Sequence, residues 1–193
     1  MKLLPSFRVS VASGWLLLVP YFLGLTLSAL GFPREKRKKL FFKPAYLGGD
    51  WRAIVRRAGT VAAIAFVPTM LFTPLQTGSA LLGAGFAVYA LGFVLVMVSL
   101  QDFRSAPVDQ PVTTGTYRVT RNPQWIGLVL VYLGATLAVA TWFHLALLTV
   151  IVITYHYQIL LEESVCGRFY GDKYKAYLQQ VPRYVGRSRH PPI

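Results

Sequence analysis

Five apolar runs, each free of Asp, Glu, Lys and Arg and separated from the next by a polar break, constrain this chain more than any other feature. A helix needs roughly 20 predominantly apolar residues to cross the hydrocarbon layer of a bilayer. Runs of that kind occupy residues 11–32, 58–73, 78–100, 125–140 and 143–161. The second is short and contains Pro68, and the last two are divided only by Thr141 and Trp142, which predicts a tight helical hairpin over 125–161. Composition agrees: 54% of the residues are hydrophobic and 14% charged, against roughly 25% charged in an ordinary soluble domain. The fold class expected is all-α, an integral membrane bundle of about five transmembrane helices.

Charge between the runs tests this count independently, because cytoplasmic loops collect Lys and Arg. Residues 33–57 carry nine basic residues, 101–124 carry three and the tail from 162 carries six, whereas 74–77 and 141–142 carry none. Eighteen of the twenty basic residues thus fall on alternate loops, as five spans require. The N-terminus is then outside and the C-terminal tail cytoplasmic. The first run also follows Lys2 and Arg8 as a secretory signal would, but it is longer than the roughly 7–15 apolar residues of a signal, and Arg34 to Lys39 just beyond would resist translocation. The whole chain reads as one membrane domain, with three spans in 1–100 around the basic loop 33–57 and a catalytic region in 101–193.

The net charge of +13 is no sign of nucleic-acid binding, since the basic residues sit in blocks between membrane runs. The partners to expect are the lipid bilayer and a hydrophobic or lipid substrate, and nothing in the sequence fixes an oligomeric state. A single cysteine, Cys166, and three histidines supply no clustered metal ligands, so no metal site is expected. Phosphate-cradling glycine motifs after a strand are also lacking.

Polar residues concentrate in 101–124 and 162–183, which flank the hairpin and so emerge at one membrane surface as neighbours. In the first segment Asn122 and Pro123 read as the N-cap and first turn of a helix, whose exposed amides suit a carboxylate. In the second, His156 and Glu163 are seven residues apart and share a helical face. The acids Glu162 and Glu163 end an apolar helix, where the macrodipole disfavours them, which points to a cationic ligand. Beyond them Tyr170, Tyr174 and Tyr177 recur at helical spacing among basic residues, predicting an interfacial amphipathic helix broken at Gly171, a candidate lid.

Two motifs carry a resemblance. Gly115-x-Tyr117-x-x-x-Arg121-Asn122-Pro123-x-Trp125-x-Gly127, then a hairpin, then Glu162-Glu163-x-x-Cys166-x-x-x-Tyr170-Gly171-x-x-Tyr174-x-x-Tyr177-x-x-x-Val181-Pro182-Arg183, resembles the isoprenylcysteine carboxyl methyltransferase and phospholipid methyltransferase superfamily over about residues 113–185. The resemblance implies a multi-span enzyme that binds S-adenosylmethionine in a cytoplasm-facing pocket formed by its C-terminal third. By position it implies cofactor contacts from Gly115, Tyr117, Arg121, Asn122, Pro123, Trp125, Glu162 and Glu163, with Arg121, Glu162 and Glu163 the catalytic candidates. His156 and Tyr174 are the substrate-side candidates. Asn122 stands where the prenylcysteine enzymes usually carry His, Trp125 where Tyr is usual and Cys166 where Leu is usual.

The activity expected is S-adenosylmethionine-dependent methyl transfer to a hydrophobic acceptor, whether a phospholipid amine, a prenylated carboxylate or a small thiol. Two alternatives belong to other classes. An NADPH-dependent sterol or steroid reductase shares an Arg-Asn-Pro and Tyr-rich ending, and a non-catalytic adaptor would use residues 34–39 to hold anionic lipid.

Overall fold

The structure, a computed structural model, describes residues 1–8, 10–34, 50–107 and 109–186. Six α-helices and one short 3-10 turn follow one another among them: α1 (Trp15–Leu30), α2 (Asp50–Leu71), α3 (Ala80–Ser105), the turn Gly115–Arg118, α4 (Pro123–Val139), α5 (Trp142–Tyr170) and α6 (Asp172–Gln180). No β-strand occurs among the described residues, only two isolated bridges. The basic block at 36–39, Lys43, Arg187 and Arg189 lie outside the described residues.

Helices α2, α3 and α5 are long and apolar enough to cross a membrane; α1 and α4 are apolar but shorter, at 16 and 17 residues. Together they form an all-helical membrane bundle, with the five apolar helices falling on the five apolar runs. The helices do not end where the apolar runs end. α2 begins at Asp50 rather than at residue 58, α3 continues to Ser105 and α5 to Tyr170, because hydrogen bonding along a helix continues into water where hydropathy has already changed. α1, conversely, starts only at Trp15, and residues 11–14 before it are non-helical.

Packing explains the order of the bundle. α3 and α4 touch backbone to backbone along a glycine seam. A Cβ on Gly92 would lie 2.6 Å from the Val131 nitrogen and 2.7 Å from the Gly127 oxygen, and one on Gly85 would lie 2.7 Å from the Ala138 nitrogen and the Gly134 oxygen. Small residues allow this approach where lipid supplies no hydrophobic drive between helices. α1 joins through Tyr89, whose hydroxyl donates to the Leu17 carbonyl at 2.6 Å, and α2 through Phe66, stacked on Tyr132 at 4.7 Å between ring centres. Against this interior, large apolar side chains on α1, α2 and α3 point outward: Leu23, Leu27, Val61, Ile64, Leu91 and Val94 are 56–66% exposed. Such a surface suits hydrocarbon and not water.

The bundle has two different ends. At one, the N-terminal segment ties down two inter-helix loops. The Lys2 amide donates to the Ala140 carbonyl and the Trp142 amide to the Lys2 carbonyl. The Leu75 amide donates to Ala12 and the Gly14 amide to Thr73. Residues 109–122 and α6 gather at the other end, which holds the polar site.

Candidate active site

Pro123 occupies the first turn of α4, where a missing N–H costs nothing. Asn122 takes the N-cap position but does not cap with its side chain. Its Nδ2 instead donates to the Arg183 carbonyl at 3.1 Å, and the Thr120 hydroxyl donates to the same oxygen at 3.0 Å. The expected capping role of Asn122 is therefore corrected, since a tertiary acceptor draws the amide away from the helix start. The Arg121 amide donates to the Pro182 carbonyl at 3.0 Å. The chain that leaves α6 thus lies as a strap across the Arg-Asn-Pro corner.

Glu163 reaches the same corner from α5. Its Oε1 lies 3.3 Å from Arg121 Nη2, with both side chains 10% exposed. Arg183 donates through Nε to both carboxylate oxygens at 3.1 Å and through Nη2 to Oε2 at 2.8 Å. These charge-assisted bonds hold the Arg183 guanidinium even above its usual range. The adjoining strap residue Tyr184 bonds through its hydroxyl to His156 Nδ1 at 2.8 Å. His156 and Glu163, seven residues apart on one helix, are thus held by two successive residues of the strap.

The corner opens into a pocket of about 490 Å³, within the roughly 300–1,000 Å³ of cavities that hold drug-sized ligands. Tyr117, Arg121, Asn122, Pro123, Trp125, Glu162, Glu163 and Tyr174 all line it. Gly115 and His156 are not among the lining residues. Gly115 sits at φ +59° beneath the Asp102 carboxylate, which a Cβ there would overlap. The remaining walls are Phe103, Pro111, Val112, Gln124, Val165, Cys166, Phe169, Tyr170 and Tyr177. Phe103 and Gln124 fall inside the polar segment 101–124, but their residue types do not set them apart there as site residues; only the position of Gln124 directly after Pro123 hints at it.

Glu162 lines the pocket together with Trp125, whose ring lies 4.3 Å from that of Tyr155. Glu162 therefore keeps acceptor capacity toward the pocket, whereas Glu163 is neutralised by two guanidiniums. One polar atom is left over: Arg121 Nε is buried and has no hydrogen-bond partner. Nη1 of the same group donates to the Leu178 carbonyl at 3.2 Å. Burial raises the phenols of Tyr117, Tyr174 and Tyr177 well above the ordinary range, so all three remain neutral hydrogen-bonding walls. Among the described residues no group of three or more His, Cys, Asp or Glu side chains is placed to hold a metal ion.

The apolar helical bundle thus carries an arginine, two acids and an aromatic pocket at one end. Residues 79–173, just under half of the chain, match the family model of phospholipid methyltransferases. The matched segment, which spans α3 to the start of α6, belongs to the isoprenylcysteine and phospholipid methyltransferase superfamily. That match supports, in general terms, a membrane methyltransferase. No curated protein and no solved structure matches the chain.

Proposed function

We propose that the pocket binds S-adenosylmethionine and that the protein transfers its methyl group to a hydrophobic or lipid-like acceptor at the cytoplasmic membrane face. The observation that carries the reading is Arg121 Nε, a buried donor without a partner in the wall of an aromatic cavity that also holds Glu162. An unsatisfied buried donor costs roughly 1–3 kcal/mol, and a carboxylate from the ligand would remove that cost. The residues fit an amino-acid-bearing sulfonium: a guanidinium for its carboxylate, an acid for its ammonium and aromatic faces for its cationic sulfur.

When bound, S-adenosylmethionine supplies an electrophilic methyl group on positive sulfur. The protein's own part is to orient and to exclude water. Arg121 is fixed by Glu163, the Leu178 carbonyl and the strap, so the guanidinium is held in place before a ligand arrives. Glu162 is the group available to accept a proton if the acceptor is an amine. Phe103, Val112, Val165 and Phe169 form the apolar side of the cavity, where a hydrocarbon tail would lie.

Binding to the purified protein in detergent tests the reading: S-adenosylmethionine is expected to bind, Arg121→Ala to abolish binding, and NADPH not to compete. Affinity for NADPH alone would overturn it in favour of a reductase. Binding of neither, with salt-dependent binding to anionic liposomes, would favour an adaptor. Mass spectrometry of membrane extract incubated with isotopically labelled donor would then identify the acceptor.

A further inference from the structure

A carboxylate outside the pocket bonds to the turn that carries one of its walls. Asp102 stands in the last turn of α3. A single oxygen, Oδ2, accepts from both the Thr116 amide and the Thr116 hydroxyl, each at 2.7 Å. The carboxyl lies against Gly115, whose φ of +59° and missing Cβ are both needed for that approach. The next residue, Tyr117, is 9% exposed and lines the pocket. Its carbonyl accepts from the Tyr177 hydroxyl at 2.7 Å and its hydroxyl from Gln124 Nε2 at 3.0 Å. Neither Asp102 nor Thr116 lines the cavity.

We propose that Asp102 is a positioning residue for the site: by holding the turn Gly115–Arg118 to the end of α3, it sets the Tyr117 wall against which the ligand binds. The proposal rests on the pocket being the S-adenosylmethionine site. A four-residue 3-10 turn has poor internal hydrogen bonding and does not hold its own orientation. Three elements orient Tyr117 here: α3 through Asp102, α4 through Gln124 and α6 through Tyr177. Asp102 is the tie that joins a membrane-crossing helix to this wall. Because one oxygen accepts both bonds, an amide can replace the carboxylate. Position, and not charge, is what Asp102 contributes.

Full-length protein in detergent micelles tests this with S-adenosylmethionine as the probe, measuring its affinity and labelled-methyl incorporation into a membrane lipid extract against donor concentration. Asp102→Ala leaves a half-buried donor pair unmatched. It is expected to raise Kd and KM about tenfold with kcat at saturating donor within about twofold, as for a uniform loss of binding. Asp102→Asn is expected to restore both to within about threefold of the parent. Hydrogen exchange at 115–118 should accelerate in the alanine variant and not in the asparagine one. Unchanged affinity and exchange in Asp102→Ala would overturn the proposal, as would Asp102→Asn failing as badly as alanine, which would mean that charge is the contribution. If the alanine variant does not fold, Thr116→Val decides: loss of one of the two bonds should weaken binding about threefold, and parent-like binding would count against the anchor. Should the parent bind no S-adenosylmethionine, the functional reading falls, while the exchange measurement still reports whether Asp102 holds the turn.

Discussion

Glu162 and Glu163 are neighbours in sequence and different in kind. Glu163 accepts from Arg183 and faces Arg121, so removing its charge leaves two guanidiniums opposed. Breaking a buried pair costs roughly 3–5 kcal/mol; with Arg183 34% exposed, solvent screening lowers the expectation for Glu163→Gln to about 2 kcal/mol. Thermal unfolding in detergent would register this as a lower midpoint. Glu162→Gln is expected to leave that midpoint unchanged and to weaken S-adenosylmethionine binding by about tenfold, so the two variants separate scaffold from ligand contact. The buried phenols add a dependence on alkali. Tyr117, Tyr174 and Tyr177 hold their protons in the fold beyond the ordinary phenol value of 10.0, whereas an unfolded chain loses them there. The unfolded state then binds fewer protons, and stability falls as pH rises above about 10. A Tyr117→Phe/Tyr177→Phe variant should show a shallower decline in a pH series of unfolding midpoints, whatever its midpoint at neutral pH.

At the scale of helices, the α3–α4 seam makes a sharp prediction. A side chain on Gly92 has backbone of α4 within 2.7 Å, so Gly92→Val must part the helices; overpacking of this kind costs about 1–3 kcal/mol. Gly83, on the same helix, has open space around its missing Cβ, and Gly83→Ala should be neutral or slightly stabilising. Equal effects of the two would remove the seam as the reason for the close approach. The apolar runs that became helices are visible in the sequence because membrane packing acts on composition itself. The ends of the helices are not visible, since α3 carries Gln101 and Asp102 in helical conformation past its apolar stretch. The acid pair and the Arg-Asn-Pro corner were legible as neighbours because a hairpin joins them. Their partners were not: Arg183 on Glu163 and Tyr184 on His156 are long-range pairings on which neither periodicity nor charge order bears. Asn122 misleads for the same reason, reading locally as a cap while its side chain bonds 61 residues away.

The molecule as a whole is polar in its architecture: the N-terminal segment with the loops at 72–76 and 138–142 forms one end, and the strap, α6 and the pocket form the other. With basic residues concentrated on the pocket side of the sequence, we expect that side to face the cytoplasm. In a Cys166→Ser background, Leu4→Cys should react with a membrane-impermeant maleimide in intact cells and Lys173→Cys only after lysis. Inverted labelling would reverse the orientation, and labelling of both from one side would contradict a bundle with separate ends.

The pairing of Lys2 with Ala140 and Trp142 has a consequence for biosynthesis. Translation delivers Lys2 before its partners, which follow only after four of the apolar helices have been made, so this end stays open until late in assembly. A bulky insertion beside Lys2 would press on that last closure, whereas one in the loop between α3 and α4 would leave it free.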